Sequence, residues 1–191
     1  ADLKGRKIGF SIAGTEEAML TAMLRTVGLG MADIELVNVN FSLSPSLISG
    51  QVDAAIGAYR NFELNQMDVL GRPGRAFFVE EHGVPPFDQL IYVAHRDRAG
   101  DPRLPRFLAA TEQAVQFMVN HPDDAWKLFV KNHKEVDDEL NRRAWRDTLP
   151  RFALRPAASD TGRYDRLARF LKEAGLIKTV PPVDSYAIAV R

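Results

Sequence analysis

The chain has 191 residues, enough for one domain or two small lobes, and its 46% hydrophobic and 26% charged residues match an ordinary globular composition. Lys plus Arg and Asp plus Glu each number 25, so no basic field exists to hold phosphate backbones and nucleic-acid binding is disfavoured. The absence of cysteine removes disulfides, thiolate metal sites and cysteine nucleophiles from this chain together.

The chain opens "ADLKGRKIGF", with no Met and already at the edge of a strand. That reads as a processed or truncated piece of something longer, so the lack of a leader carries no information about compartment. No apolar run approaches the roughly 18 residues that a membrane helix needs. Residues 7–12, KIGFSI, read as a strand, and "AGT" as a turn with Thr15 as helix N-cap. Met19, Leu20, Met23, Leu24 and Val27 then recur at helical spacing, and Gly28 or Gly30 stops the helix. "IELVNV" is a second strand. "SPSLISG" is a short helix with Ser44 as cap and Pro45 at its first position. "DAAIGAY" is a third strand, "NFELNQMDVLG" a helix ending at Gly71, and "RAFFVEEHG" a fourth strand. Strand and helix alternate through residues 1–80, which predicts parallel strands joined by right-handed crossovers. The strands lack strict polar and apolar alternation, as expected of a sheet covered on both faces.

After "HGVPPFD" the pattern changes. "QLIYVAH" reads as a fifth strand, and nearly everything beyond it as helix. Leu104, Phe107, Leu108, Val115 and Met118 form one apolar stripe. The next helix starts at Pro122, with His121 as its cap and Asp123 and Asp124 in the first turn, where the helix dipole favours acids. "VDDELNRRAWRDTL" and "DTGRYDRLARFLKEAG" follow, with "LPRFALRPAAS" as a surface connection between them. The expected class is therefore α/β, with an α/β lobe over residues 1–84 and a hinge crossing, strand and helical remainder over 85–191.

Open α/β sheets bind ligands at the carboxyl ends of their strands, and two such ends are rich in functional groups. The first is "SIAGTEEA", containing Ser11, Gly14 and Thr15. Its outward-facing helix N–H groups suit an acceptor atom. Glu16 and Glu17 in the same turn disfavour an anion, which leaves a neutral acceptor such as a carbonyl. The plainer reading, an N-cap with dipole-matched acids, stands beside it. The second end is "GAYRNFELNQM", where Tyr59, Arg60, Asn61 and Glu63 crowd one strand-to-helix junction. A phenol ring offers a face for stacking, and a carboxylate accepts two parallel N–H bonds from an amidine-like edge. Together they suit a flat aminated heterocycle. On residues alone, a packed ring and a first-turn acid remain the better-supported reading. Glu80, Glu81 and His82 are adjacent and cannot all face one ion, so no metal site is expected. No nucleophile elbow, Walker loop or dinucleotide fingerprint is present, and no cofactor is expected. Trp126 and Trp145 read as core.

Four stretches carry a resemblance: "DLKGRKIGFSIAGTEEAML", "LISGQVDAAIGAYRNFELNQM", "GRAFFVEEHGVPPFDQLIYVAHRD" and "NHPDDAWKLFVK". They resemble the family of thiamine-pyrimidine-precursor binding proteins of bacterial ABC importers, which eukaryotic thiamine-pyrimidine synthases share. The likeness covers nearly the whole chain, and "GAYRNFELNQM" with "VEEHGVPP" is its most specific part. It implies a type II periplasmic binding protein fold, two lobes closing on formylaminomethyl-pyrimidine. In that fold Tyr59 would stack on the pyrimidine, Glu63 would hold its amino edge with Asn61 close by, and the turn of Ser11, Gly14 and Thr15 would line the same cleft.

Family members usually carry a first-lobe segment before "DLKGRKIG". Residues 1–84 would then be a near-complete second lobe and the helices a partial first lobe, with a hinge through Glu81–Gln89 restricted by Gly83, Pro85 and Pro86. Apolar surface meant for the missing strands would be exposed, so self-association is expected. The resemblance implies a solute-binding component located outside the cytoplasmic membrane, delivering its ligand to an ABC permease. The alternatives are a pyrimidine synthase of the same fold, or a receptor for another small solute such as a sulfonate or nitrate. The synthases of this family use a cysteine-rich segment linked to iron, and this cysteine-free chain favours transport over catalysis.

Overall fold

The computed structural model describes residues 2–188. The first residue of the expected 1–84 lobe and the last three of 85–191 lie outside that range. The chain groups into two compact units, one running to Pro86 and including Leu167–Val180, the other comprising Phe87–Arg166 and the residues from Pro181 onward.

The first unit is built on three parallel strands, β1 (Lys7–Phe10), β2 (Glu35–Asn38) and β3 (Ala54–Ala55), in the order β2-β1-β3. Helix α1 (Thr15–Arg25) crosses from β1 to β2, and α2 (Leu43–Ile48) from β2 to β3. Ile8 pairs with Leu36 on one side and Ala54 on the other, so the apolar middle of β1 is flanked by strand on both edges. Ile8, Leu20, Leu24 and Ile56 form one buried cluster, and Val39, Leu43 and Val52 a second. Apolar burial on both faces explains why these strands show no alternation. Gly9 is closely packed: a Cβ there would lie 3.2 Å from side-chain atoms of both Val39 and Val52.

Helix ends differ from expectation by a residue or two. Thr15 is the first helical residue of α1, and Gly14, at φ +80°, occupies the cap position without a side-chain bond. The stop follows the sequence: Gly28 is left-handed, and the Leu29 N–H returns to the Leu24 carbonyl at 3.0 Å. Helix α2 starts two residues before Pro45, so Ser42 takes the cap position and the Ser44 hydroxyl is buried inside the helix. Helix α3 (Glu63–Val69) ends before left-handed Gly71.

The fourth and fifth expected strands do not form among the described residues. Residues 75–78 form no ladder, with Phe78 extended, and Val79–Glu81 make a 3-10 turn. "QLIYVAH" likewise forms no ladder, and the chain bends at Gln89 and Leu90. Strand propensity supplies an extended backbone, but a strand requires a partner whose N–H and C=O groups face its own.

The second unit is helical: α4 (Arg103–Asn120), α5 (Pro122–Asn132), α6 (Glu139–Thr148) and the first half of α7 (Thr161–Glu173), whose remainder belongs to the first unit. Val115 of α4 is buried, whereas Phe107 of the expected stripe is half exposed and meets Tyr92 edge-to-face at 5.1 Å. Trp126 of α5 is buried and packs edge-on against Trp145 of α6 at 5.6 Å, with Phe129 stacked on Trp145. His121 sits at the cap of α5 without a side-chain bond, and Asp138 caps α6 by accepting the Asn141 N–H at 2.8 Å. No helix of the described residues is long and apolar enough to cross a membrane.

Candidate functional site

Because β1, β2 and β3 are parallel, the turns that leave them emerge at one edge of the sheet. These are residues 11–14 after β1, 39–42 after β2 and 56–62 after β3. In an open parallel sheet this is the edge that receives ligands.

The turn after β1 is held from within. Glu16 is only 7% exposed, and its Oε2 accepts the backbone N–H groups of Ser11 at 2.7 Å and Ile12 at 3.0 Å. The Thr15 N–H is taken by the Ala13 carbonyl at 3.0 Å. The sequence suggests outward-facing donors with Glu16 as a bystander acid. Instead, Glu16 itself satisfies the donors nearest the strand end. Gly57, at φ +93°, makes room for it: a Cβ at this position would lie 2.2 Å from Glu16 Oε1. Any larger residue would push the carboxylate off the turn. Ser11 is half-buried, and its Oγ accepts the Phe41 N–H at 3.0 Å, which ties the β1 turn to the β2 turn. Gly14 approaches Leu176 of the same unit, whose Cδ2 would stand 3.4 Å from an added Cβ. Thr15 is exposed at the start of α1.

The turn after β3 carries the aromatic and the second carboxylate. Tyr59 is 42% exposed. Its N–H donates to Glu63 Oε2 at 2.7 Å, and the Glu63 N–H returns to the Tyr59 carbonyl at 3.0 Å. This reciprocal pair closes the turn that leads into α3, ahead of the Phe62 cap position. It commits one carboxylate oxygen to the turn, and a carboxylate has acceptor capacity beyond one bond. The turn closure and the binding group are therefore compatible in a single side chain. Asn61 is half-buried, and its carbonyl accepts from Asn65 Nδ2 at 3.0 Å. Arg60 is held to Glu80 by bonds of 2.8 and 2.9 Å and lies 3.8 Å over the Phe78 ring. That clamp ties the 3-10 turn at Val79–Glu81 and the Phe78 ring before it to the β3 turn, and it uses the cation structurally.

Ser11, Gly14 and Thr15 thus lie in one turn, and Tyr59, Asn61 and Glu63 in another at the same sheet edge. The sequence reading overlooked the third turn, Asn38–Ser42. Its signal was present in "NVNFS", two amides around a strand end, where side chains commonly bond to nearby backbone. The site can stack a flat ring and accept N–H bonds. Among the described residues no three His, Asp or Glu side chains gather to hold a metal.

Residues 1–125 match the family described as NMT1/THI5 like. The chain is 47% identical over 191 residues to a Haemophilus influenzae protein named for thiamine biosynthesis, covering all of this chain and 61% of that protein. It is 28% identical over 152 residues to the formylaminopyrimidine-binding protein of Halalkalibacterium halodurans, covering 78% of this chain and 46% of the relative. A Schizosaccharomyces pombe protein named 4-amino-5-hydroxymethyl-2-methylpyrimidine phosphate synthase is 24% identical over 92% of this chain and 54% of its own length. Among solved structures, the alkanesulfonate-binding protein SsuA from Xanthomonas axonopodis pv. citri, bound to MOPS, superposes with a TM-score of 0.64 at 17% identity. That match covers 96% of this chain and 63% of the other, and it shows a shared α/β binding-protein fold. The chain spans about half to three-fifths of the length of the curated relatives described above.

Proposed function

Since the chain belongs to the NMT1/THI5-like family, we propose that it is the solute-binding component of an ABC importer and takes a thiamine pyrimidine precursor, formylaminomethyl-pyrimidine. The protein would then act outside the cytoplasmic membrane and hand its ligand to a membrane permease. The observation that carries this reading is the Tyr59–Glu63 turn, where an exposed phenol ring and a carboxylate held against the Tyr59 backbone occupy one strand end. The ring supplies a stacking face and the carboxylate an acceptor for an amino-pyrimidine edge. The name of the Halalkalibacterium relative points to the same ligand class.

Glu16 supports a neutral ligand over a sulfonate or nitrate. The Ser11 and Ile12 N–H groups that an anion would use already serve an internal carboxylate. A bound anion would face that buried negative charge at short range. Catalysis is the second reading, favoured by the names of the fungal relatives. Those matches stand at 24% and 19% identity, below the 28% of the binding protein.

Calorimetric titration of the full-length protein with formylaminomethyl-pyrimidine, taurine and nitrate tests the proposal. Saturable binding of the pyrimidine alone is the expected result. Binding of taurine or nitrate without the pyrimidine would return Tyr59 and Glu63 to a packed ring and a helix cap.

A further inference from the structure

The turn after β2 has an unusual conformation for its sequence. Among the described residues, the non-glycine positions with positive φ are Asn40, at +45°, and Phe41, at +64°. Asparagine tolerates the left-handed region, but phenylalanine carries a Cβ that clashes there. Burial gives no compensation, because Phe41 is 71% exposed. Three bonds impose the conformation. Asn38 Oδ1 accepts the Asn40 N–H at 2.9 Å, Ser11 Oγ accepts the Phe41 N–H at 3.0 Å, and the Val39 carbonyl accepts the Ser42 N–H at 2.8 Å. Buried Val39 and Leu43 anchor the turn on either side. A large aromatic is therefore held in solvent, in a strained backbone, by side chains from two different strand ends. Strain that is maintained without a packing return is characteristic of residues kept for a ligand.

Strand order decides where this ring stands. In β2-β1-β3 the Phe41 turn and the Tyr59 turn flank the Ser11–Thr15 turn at the same sheet edge. Two strand spacings separate the ends of β2 and β3, about 10 Å. That is the scale of one planar ring with an aromatic side chain on either side.

We propose that Phe41 is a second aromatic ligand-contact residue, meeting a planar heterocycle from the side opposite Tyr59, and that Ser11 and Asn38 are positioning residues that hold it there. This rests on the pyrimidine-binding reading and deepens it by naming a second wall of the site. It also gives the Ser11 hydroxyl a defined task, since that oxygen bonds the Phe41 backbone.

The test separates binding from folding through opposite signs. In Phe41→Asn the left-handed strain is relieved and the ring removed. The full-length variant should melt at the same temperature as wild type or higher, and bind formylaminomethyl-pyrimidine about tenfold more weakly, the scale of one lost ring stack. Phe41→Trp should keep affinity within about threefold. Ser11→Ala should weaken binding without removing any ring. Wild-type affinity in Phe41→Asn would overturn the role of Phe41 and leave the Tyr59–Glu63 reading intact. A fall in melting temperature in Phe41→Asn would also overturn it, by showing a packing role. Absence of pyrimidine binding by the wild-type protein would overturn both readings.

Discussion

Glu63 combines two tasks that the sequence presents as alternatives. Its carboxylate holds the turn through the Tyr59 N–H and lies in the same turn as the exposed Tyr59 ring at the sheet edge. In Glu63→Gln an amide oxygen can still accept the Tyr59 N–H, but the charge is gone. Pyrimidine affinity in the full-length protein should fall by about 1.5–3 kcal/mol, the range for a hydrogen bond to a charged group, while thermal stability changes little. Calorimetry and a melting curve read the two effects separately, and unchanged affinity would remove Glu63 from the site. Tyr59→Ala should cost more affinity than Tyr59→Phe, because the ring face does the stacking. Glu16 and Gly57 form a second pair with a structural task. Glu16→Ala leaves two backbone N–H groups without their acceptor, so a loss of about 1–3 kcal/mol is expected in denaturant unfolding. Gly57→Ala should destabilise through the same carboxylate, since its new methyl would collide with Glu16 and its φ is +93°.

At the level of elements, helices were more legible than strands. The stops at Gly28 and Gly71 stand in the sequence as glycines and in the structure as left-handed residues. Helix periodicity is local, so a window of about 11–18 neighbouring residues suffices to read it. The paired strands are shorter than their apolar runs: β3 keeps two residues of "DAAIGAY", because left-handed Gly57 turns the chain out of the ladder. The start of α4 offers a test that does not involve a ligand. The Arg103 side chain donates to both oxygens of Asp101, and its backbone N–H adds a bond at 2.9 Å. These bonds hold the Asp101 carboxyl down, from its ordinary 3.8 to about 2. A depressed carboxylate stabilises the fold at pH values above 3.8, and that contribution is lost as pH falls through about 2. Arg103→Ala should return the Asp101 titration toward 3.8 in a carboxyl NMR experiment; a midpoint still near 2 would mean that the guanidinium is not the cause.

For the whole molecule, the apolar stretch after the Pro85–Pro86 pair dictates the expectation. Leu90 and Val93 are each 85% exposed, with Ile91 and Tyr92 beside them at 52% and 62%. An exposed apolar segment outside any sheet ladder invites association with another chain. This chain should therefore self-associate with rising concentration in light scattering, and Val93→Lys should suppress the association. A strictly monomeric species at high concentration would refute this. What the sequence determined by itself is the alternation of β1, α1, β2, α2 and β3, the helical second half, and the family, because these rest on local periodicity and on residue identities. The tertiary structure alone decided that Glu16 turns inward, that Ser11 serves Phe41, and that "RAFFVEEHG" and "QLIYVAH" remain unpaired. The physical reason is that side-chain direction and ladder formation depend on partners far away in the chain: Gly57 stands forty-one positions from Glu16, and Phe41 thirty from Ser11.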